Sequence, residues 1–155
     1  IKAIKSGLCE FAVLPAGENG CFNEEVIKSI VENELFIVKT IETENTGGEE
    51  NTKACGKNKL VVLSFRGEIF KGADRVSVAL ELNNRPGSLL MPISRISGAA
   101  FNVTEIKSIA ENSFKTLVFI EFECDISSRE ALNLMSELKI SSENFFFLGA
   151  YKQTV

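Results

Sequence analysis

The 155-residue chain contains no histidine, no tryptophan and a single tyrosine. Without histidine, it cannot by itself form a Ser-His-Asp triad, a Cys-His dyad or a His-ligated zinc site. Any catalysis would have to use carboxylates, hydroxyls, thiols or lysines. What is there is ordinary: 45% hydrophobic and 25% charged residues, enough for the core of one domain or two small lobes.

Clusters of basic residues and long apolar runs are also missing. The net charge is −4 and the Lys and Arg residues are scattered, which argues against a nucleic-acid or anionic-membrane partner. The longest apolar stretches, such as 60–63, have the length of a strand, far below the ~20 residues that cross a bilayer. The N-terminus shows no signal-peptide pattern, so we expect a cytoplasmic protein.

The four cysteines, Cys9, Cys21, Cys55 and Cys124, form no C-x-x-C pair. We therefore expect reduced thiols rather than disulfides or a zinc knuckle, and no metal or cofactor. The Gly47-Gly48 pair lies in a polar stretch without the spacing of a phosphate-binding loop, so we interpret it as a solvated loop.

The first part of the chain has an α/β pattern. A helix end at 1–6 is followed by a strand at 11–14, a helix at 24–32 capped by Asn23, and a strand at 35–41. A polar, Gly-rich loop covers 43–57, and a strand follows at 59–64. We place a first segment at 1–66 and a second domain at 67–155.

The second domain has the order β-α-β-β-α-β, an α+β, ferredoxin-like arrangement with an antiparallel sheet and two helices on one face. Its predicted strands cover 75–82, 101–109, 115–123 and 144–151. The first predicted helix begins after Ser88, which would be its N-cap. The second predicted helix runs from Arg129 to Lys139, with Ala131, Leu132, Met135 and Leu138 facing inward. Strand 75–82 alternates and is predicted to be buried on one side.

The other face of this sheet would carry Leu117, Phe119 and part of the Phe145–Phe147 run. In a monomer these side chains would be exposed, and an exposed aromatic patch usually marks an interface. We therefore expect a homodimer that forms through this sheet.

Residues 75–151 resemble an ACT domain, the small amino-acid-sensing module, and in particular the regulatory domain of prephenate dehydratases and of the bifunctional chorismate mutase/prephenate dehydratases. The matching stretches are 70–75, Asn84-Arg85-Pro86-Gly87-Ser88-Leu89-Leu90, 101–106 and Phe147-Leu148-Gly149-Ala150-Tyr151. The segment at 3–15, ending in Pro15, resembles the part of the dehydratase domain that runs into a Pro-Ile-Glu-Asn-Ser motif. Against that family, a lobe on the order of 100 residues is missing between Ile41 and Lys59.

The resemblance implies which residues would do the chemistry. The Thr-Arg-Phe motif of the family, in which Thr is the general acid and Arg binds a substrate carboxylate, falls on Asn58, Lys59 and Leu60. Asn has no hydroxyl proton to donate, and Lys lacks the bidentate fork of Arg. On the residues alone, we expect Lys59 to be an exposed lysine at a strand edge.

The resemblance also implies an effector site for phenylalanine at a dimer interface, between a turn of one chain and the second strand of the other. The Gly-Ala-Leu-Val-type turn falls on 87–90, where N–H groups at the start of a helix could receive a carboxylate. The Glu-Ser-Arg-Pro motif falls on 107–110, where only Ser108 matches. The implied ligand-binding residues are Asn84, Pro86, Gly87, Ser88, Leu89, Leu90, Asn102, Val103, Thr104 and Ser108.

Three hypotheses follow. The first is a protein of phenylalanine biosynthesis in which a degenerate dehydratase remnant precedes an ACT domain that binds an aromatic amino acid and exerts allosteric regulation. The second is an active prephenate dehydratase, a lyase that forms phenylpyruvate, water and CO2, completed by further residues or a partner chain. The third is a dimerisation module without a ligand.

Overall fold

A computed structural model describes residues 4, 6–17, 20–44, 57–69 and 72–154 of the chain. The predicted helix end at 1–6 lies mostly outside these residues, as does most of the polar loop at 43–57. Gly7 has a φ of 72° and donates its N–H to the Ile4 carbonyl over 3.0 Å, which is the turn expected there.

Seven strands and three helices form the described part of the chain. The strands are β1 (Phe11–Gly17), β2 (Phe36–Glu44), β3 (Lys57–Ser64), β4 (Arg75–Asn83), β5 (Asn102–Ala110), β6 (Lys115–Glu123) and β7 (Asn144–Thr154). The helices are α1 (Glu24–Glu32), α2 (Leu90–Gly98) and α3 (Arg129–Ser141). The fold is therefore α+β, and elements β4 to β7 follow the predicted β-α-β-β-α-β order.

All seven strands belong to one mixed sheet in the order β1-β3-β2-β7-β4-β6-β5. Strands β4 to β7 pair antiparallel, as predicted. The first segment joins them through β2, which pairs with β7 in parallel between Lys39 and Lys152. The two predicted parts of the chain therefore share a continuous sheet.

Local sequence explains the ends of two helices. The Asn23 side chain accepts the Val26 N–H at 2.8 Å and begins α1, and the Ser128 hydroxyl accepts the Ala131 N–H at 3.2 Å and begins α3. The predicted Ser88 cap of α2 is wrong. Leu89 occupies that position and no side chain caps the helix. Pro92 is the third residue of α2, where a backbone N–H would have no partner within the helix.

The sheet carries a hydrophobic core on each face. Helices α2 and α3 cover one face, where Ile96, Ala131, Leu134 and Leu138 pack on β4 and β6. The prediction for α3 is wrong at Leu132, which is 57% exposed, while Leu134 is buried in its place. Helix α1 and the segment before it cover the opposite face.

That second core overturns the argument for a dimer through this face. Leu117 and Phe119 are 2% and 0% exposed, because Phe22 and α1 of the same chain pack on them. The Phe22 and Phe119 ring centroids are 4.9 Å apart. Strand β4 is likewise buried on both faces, with Ser77 and Ala79 fully enclosed, rather than on one. Leu117 and Phe119, which were predicted to face a second copy, are covered within one chain, while the side chains of Phe145–Phe147 are partly buried.

Candidate functional site

A cleft of about 660 Å³ opens where the end of β1 meets β3 and the loop that precedes α1. Its walls are Pro15, Gly17, Cys21, Phe22, Asn23, Thr43, Asn58, Leu60 and Lys107. Two of the three residues at the predicted catalytic motif, Asn58 and Leu60, therefore line one cavity. Side chains alternate along a strand, so Lys59 between them points to the other face of the sheet.

Lys59 is buried, so the expectation of an exposed lysine is wrong. Only 3% of its surface is accessible, and its ammonium lies 3.0 Å from Glu121 Oε2 and 3.6 Å from Glu105 Oε2. It also lies 4.5 Å from the centroid of the Phe22 ring, a cation–π geometry. A charge in this position is tolerated because two carboxylates and an aromatic face replace its water.

Glu121 is the most connected member of this cluster. Tyr151 donates its hydroxyl proton to Glu121 Oε2 over 2.6 Å, and Thr104 donates to Oε1 over 2.9 Å. Burial is the largest influence and acts to raise the pKa of Glu121. The charge of Lys59 and the hydrogen bonds from Tyr151, Lys59 and Thr104 outweigh burial and leave that pKa below its usual value.

The other two acids of the cluster shift in the opposite direction. Burial raises the pKa of Glu105 despite its hydrogen bond from the Phe22 N–H and the nearby charge of Lys59. Burial and the negative charge of Glu121 raise the pKa of Tyr151 well above its usual value. Tyr151 also shares a 2.6 Å hydrogen bond with Ser77, so its hydroxyl is partnered on both sides. At neutral pH, Tyr151 is a neutral donor to an ionised Glu121.

Two side chains of β5 reach across to the loop that forms the cleft wall. The Phe22 N–H donates to Glu105 Oε1 over 2.7 Å, and the Lys107 ammonium donates to the Phe22 carbonyl oxygen over 2.6 Å. The next N–H, that of Asn23, donates to the Ala16 carbonyl of β1 over 2.8 Å. The wall is thus attached to strands at opposite ends of the sheet order.

The groups that face the cleft are suited to binding a small polar molecule. They include the Thr43 hydroxyl, which donates to the Asn58 carbonyl over 3.4 Å, the exposed Cys21 thiol and the Lys107 ammonium. Lys107 supplies a positive charge, while Phe22 and Leu60 supply apolar surface. Sequence reasoning missed Lys107, Glu105 and Glu121, because nothing in their local patterns shows that they meet Lys59.

The turn of the implied effector site lies at another place on the surface. Arg85, Pro86, Gly87 and Ser88 border a cavity of about 340 Å³ with Met91 and Glu143. The N–H groups of Ser88 and Leu90 already donate to carbonyls of the turn, over 3.1 and 3.0 Å. The expected carboxylate site therefore has fewer open N–H donors than the sequence indicates.

The structure does not bring this turn together with the implied residues at the start of β5. Asn84 follows the end of β4 that lies opposite Lys115, whereas Asn102 pairs with Glu123, opposite the start of β4. The two ends are roughly 25 Å apart at ~3.3 Å per residue. Asn102 donates to Glu123 over 3.0 Å, Val103 packs on the α2–α3 core, Thr104 joins the Glu121 cluster, and Ser108 lies opposite Val118.

The described residues offer neither a metal site nor a membrane-spanning helix. Across these ranges, no group of three or more His, Cys, Asp or Glu side chains could hold a metal ion. None of the described helices is long and apolar enough to cross a membrane.

Comparison with known proteins gives matches among solved structures alone. No family model matches the chain, and no curated protein matches it. Prephenate dehydratase from Arthrobacter aurescens, solved in complex with L-Phe, has a TM-score of 0.80 at 13% identity over 97% of this chain and 77% of its own. Prephenate dehydratase from Streptococcus mutans has a TM-score of 0.77 at 21% identity over 100% and 81%.

A third similar structure carries a different activity in its description. GqqA, described as a novel type of quorum quenching acylase, has a TM-score of 0.78 at 20% identity over 97% of this chain and 76% of its own. The chain thus has the fold of the prephenate dehydratase structures along nearly its whole length. Because that fold is also the fold of an acylase, the fold by itself does not select the activity.

Proposed function

We propose that the chain is a cytoplasmic protein of the prephenate dehydratase family whose main role is regulatory. Its ferredoxin-like ACT domain, residues 67–155, binds an aromatic amino acid, with phenylalanine as the first candidate. Residues 1–66 are a dehydratase remnant that does not act alone. The observation that carries the proposal is the match of nearly the whole chain to a prephenate dehydratase solved in complex with L-Phe.

The β7-β4-β6-β5 strand order and the Asn84–Leu90 turn support the regulatory role. Gly87 has a φ of +85°, a conformation that side-chain-bearing residues rarely adopt, and it shapes the turn beside the 340 Å³ cavity. Since the turn and the start of β5 lie far apart in one chain, a site that uses both needs two copies. The homodimer proposed here would supply them through surfaces other than the covered face.

The chemistry of the cleft supports the degenerate remnant. Asn58 lines the cleft where the family motif has its threonine, and an amide has no acidic proton to give a leaving water. Lys59, at the position of the motif arginine, is turned away and committed to Glu121 and Glu105. Asn58 is in position but lacks the proton, and Lys59 has the charge but faces away from the cleft, so neither residue can carry out the role that the family motif assigns to it.

Calorimetry with L-Phe tests the regulatory proposal. We expect heat of binding for L-Phe and none for D-Phe, with light scattering giving the mass of two chains. Gly87→Ala should weaken binding by roughly tenfold, because a residue with a Cβ is strained at this positive φ and the turn would change shape. Gly98→Ala is the matched control, since a Cβ there meets nothing within 4 Å. No heat at millimolar L-Phe would favour the ligand-free dimerisation module.

An active dehydratase is the second candidate, and one observation favours it. The cleft still holds a hydroxyl, that of Thr43, and a cation, Lys107, beside the positions of the family motif. The test is phenylpyruvate formation from prephenate, which also releases water and CO2. We expect none from this chain alone. Thr40→Val is the control, because Thr40 lies on the same strand outside the cleft lining. Turnover that Thr43→Val abolishes and Thr40→Val retains would contradict the proposal that residues 1–66 are an inactive remnant.

A further inference from the structure

Phe22 is held by strand β5 at both polar atoms of its backbone. Glu105 accepts its N–H at 2.7 Å and Lys107 donates to its carbonyl at 2.6 Å, from positions more than 80 residues away in the chain. Glu105 and Lys107 are two apart in one strand and so lie on the same face. We propose that this pair, the Phe22 clamp, consists of positioning residues that set the wall of the cleft.

The Phe22 side chain is fixed independently of the clamp. Its ring is fully buried, lies 4.9 Å from the Phe119 ring centroid and has the Lys59 ammonium 4.5 Å from its own centroid. The ring fixes where the residue sits, and the clamp fixes how its peptide planes are turned. Those planes orient the neighbours Cys21 and Asn23, which also line the cleft.

Charged side chains make the clamp stronger than a pair of ordinary turn hydrogen bonds. A carboxylate and an ammonium each form charge-assisted bonds to a peptide group, and such bonds are about twice as strong as neutral ones. The opposite charges match the two polar backbone atoms of Phe22, an acceptor for the N–H of the 21–22 peptide group and a donor for the carbonyl of the 22–23 peptide group. If Glu105 and Lys107 exchanged places, a carboxylate would face the Phe22 carbonyl and an ammonium would face the Phe22 N–H, so both hydrogen bonds would be lost.

The clamp connects the position of β5 to the shape of the cleft wall. Strand β5 stands at the end of the sheet order and, among the described strands, pairs only with β6. Anything that shifts β5 shifts Glu105 and Lys107 with it. The geometry therefore links the edge of the sheet to the cleft wall whatever molecule the cleft binds.

The reactivity of Cys21 with a thiol reagent reports on this wall directly. The substitutions Cys9→Ser and Cys55→Ser leave Cys21 and Cys124 as the two thiols of the chain. Cys21 is exposed, whereas Cys124 is 5% exposed and burial raises its pKa to about 11. Cys124 therefore reacts slowly. We expect Lys107→Met and Glu105→Met each to change the Cys21 labelling rate by roughly fivefold or more, the effect of losing one charge-assisted hydrogen bond.

Conservative variants separate positioning from general destabilisation. Lys107→Arg keeps a donor and Glu105→Gln keeps an acceptor for the Phe22 N–H, so both should return the labelling rate to near the parent value. Lys139→Met, at an exposed lysine of α3, is the control for loss of a surface charge. Thermal melting of each variant shows whether the fold is intact at the labelling temperature.

Hydrogen exchange gives a second measurement that needs no cysteine. The Phe22 amide should exchange roughly tenfold faster in Glu105→Met, because its acceptor is gone. The proposal is overturned if folded Lys107→Met and Glu105→Met label Cys21 at the parent rate. It is also overturned if Phe22 exchange is unchanged in Glu105→Met, since the wall would then be held by the ring alone.

Discussion

Lys59 shows how one residue can connect distant parts of the chain. It lies on β3, contacts Glu121 on β6 and Glu105 on β5, and lies over the Phe22 ring of the loop before α1. The bulk of this network is buried, and each member has a partner of opposite charge or a hydrogen bond. When every member of such a network has its partner, the network destabilises the folded state little. When one partner is removed, the remaining buried charge is strongly destabilising.

Removal of the charge of Lys59 is therefore expected to destabilise the folded chain. Lys59→Met should lower the free energy of unfolding by roughly 3–5 kcal/mol, because it leaves two buried carboxylates without their cation. Urea denaturation measures the difference. Lys39→Met, at an exposed lysine of the neighbouring strand β2, should change stability little. An equal loss of unfolding free energy in both variants would show that the ion pairs of Lys59 do not stabilise the fold.

At the scale of elements, the contact between β2 and β7 determines the architecture. It joins the first segment to the four antiparallel strands and depends on Gly149, next to a register shift between β7 and β4. A Cβ on Gly149 would lie 2.2 Å from the Ile37 carbonyl oxygen, closer than any real contact, and its φ of +148° disfavours other residues. The two backbones approach as they do because no side chain stands between them.

Gly149→Ala is expected to force β2 and β7 apart. We expect a loss of roughly 3 kcal/mol or more, because the clash is with backbone that cannot rotate away. Thermal or urea unfolding measures it, with Gly98→Ala as the matched control in open space at the end of α2. If the two variants melt alike, the close approach at Gly149 is not required for the sheet.

At the scale of the molecule, the second core makes the first segment a structural partner of the ACT-like part. Phe22 and α1 cover the sheet face that carries Phe119, Leu148 and Tyr151. Residues 67–155 on their own would present that face to water. The first segment of the same chain therefore covers an apolar face that would otherwise be exposed.

A fragment of residues 67–155 tests this dependence. We expect it to bind a hydrophobic dye and to run by light scattering at more than one chain, because the face around Phe119 is uncovered. Phe119→Ser in the fragment should reduce both signals, since it places a polar group at the centre of the patch. A monomeric fragment that binds no dye would show that the first segment is dispensable for the sheet.

The extent of prediction differs between elements and contacts. Periodicity and caps predict α1, α3 and all seven described strands, because apolar spacing and Asn or Ser caps act over a few residues. The faces of the sheet were harder to predict. Strand β4 alternates like a half-buried strand, yet Ser77 and Ala79 are small enough to be buried beneath the segment that crosses them.

By itself, the sequence determined the local elements, the β-α-β-β-α-β order and the motif positions that point to the prephenate dehydratase fold. The tertiary structure alone decided that Lys59 is buried among Glu105 and Glu121, that Phe22 is clamped by β5, and that Phe119 is covered within the chain. The reason is physical. Local order depends on neighbours three or four residues away, whereas the Lys59 ion pairs and the Phe22–Phe119 contact join residues more than 40 positions apart. No local pattern encodes which distant residue becomes the partner.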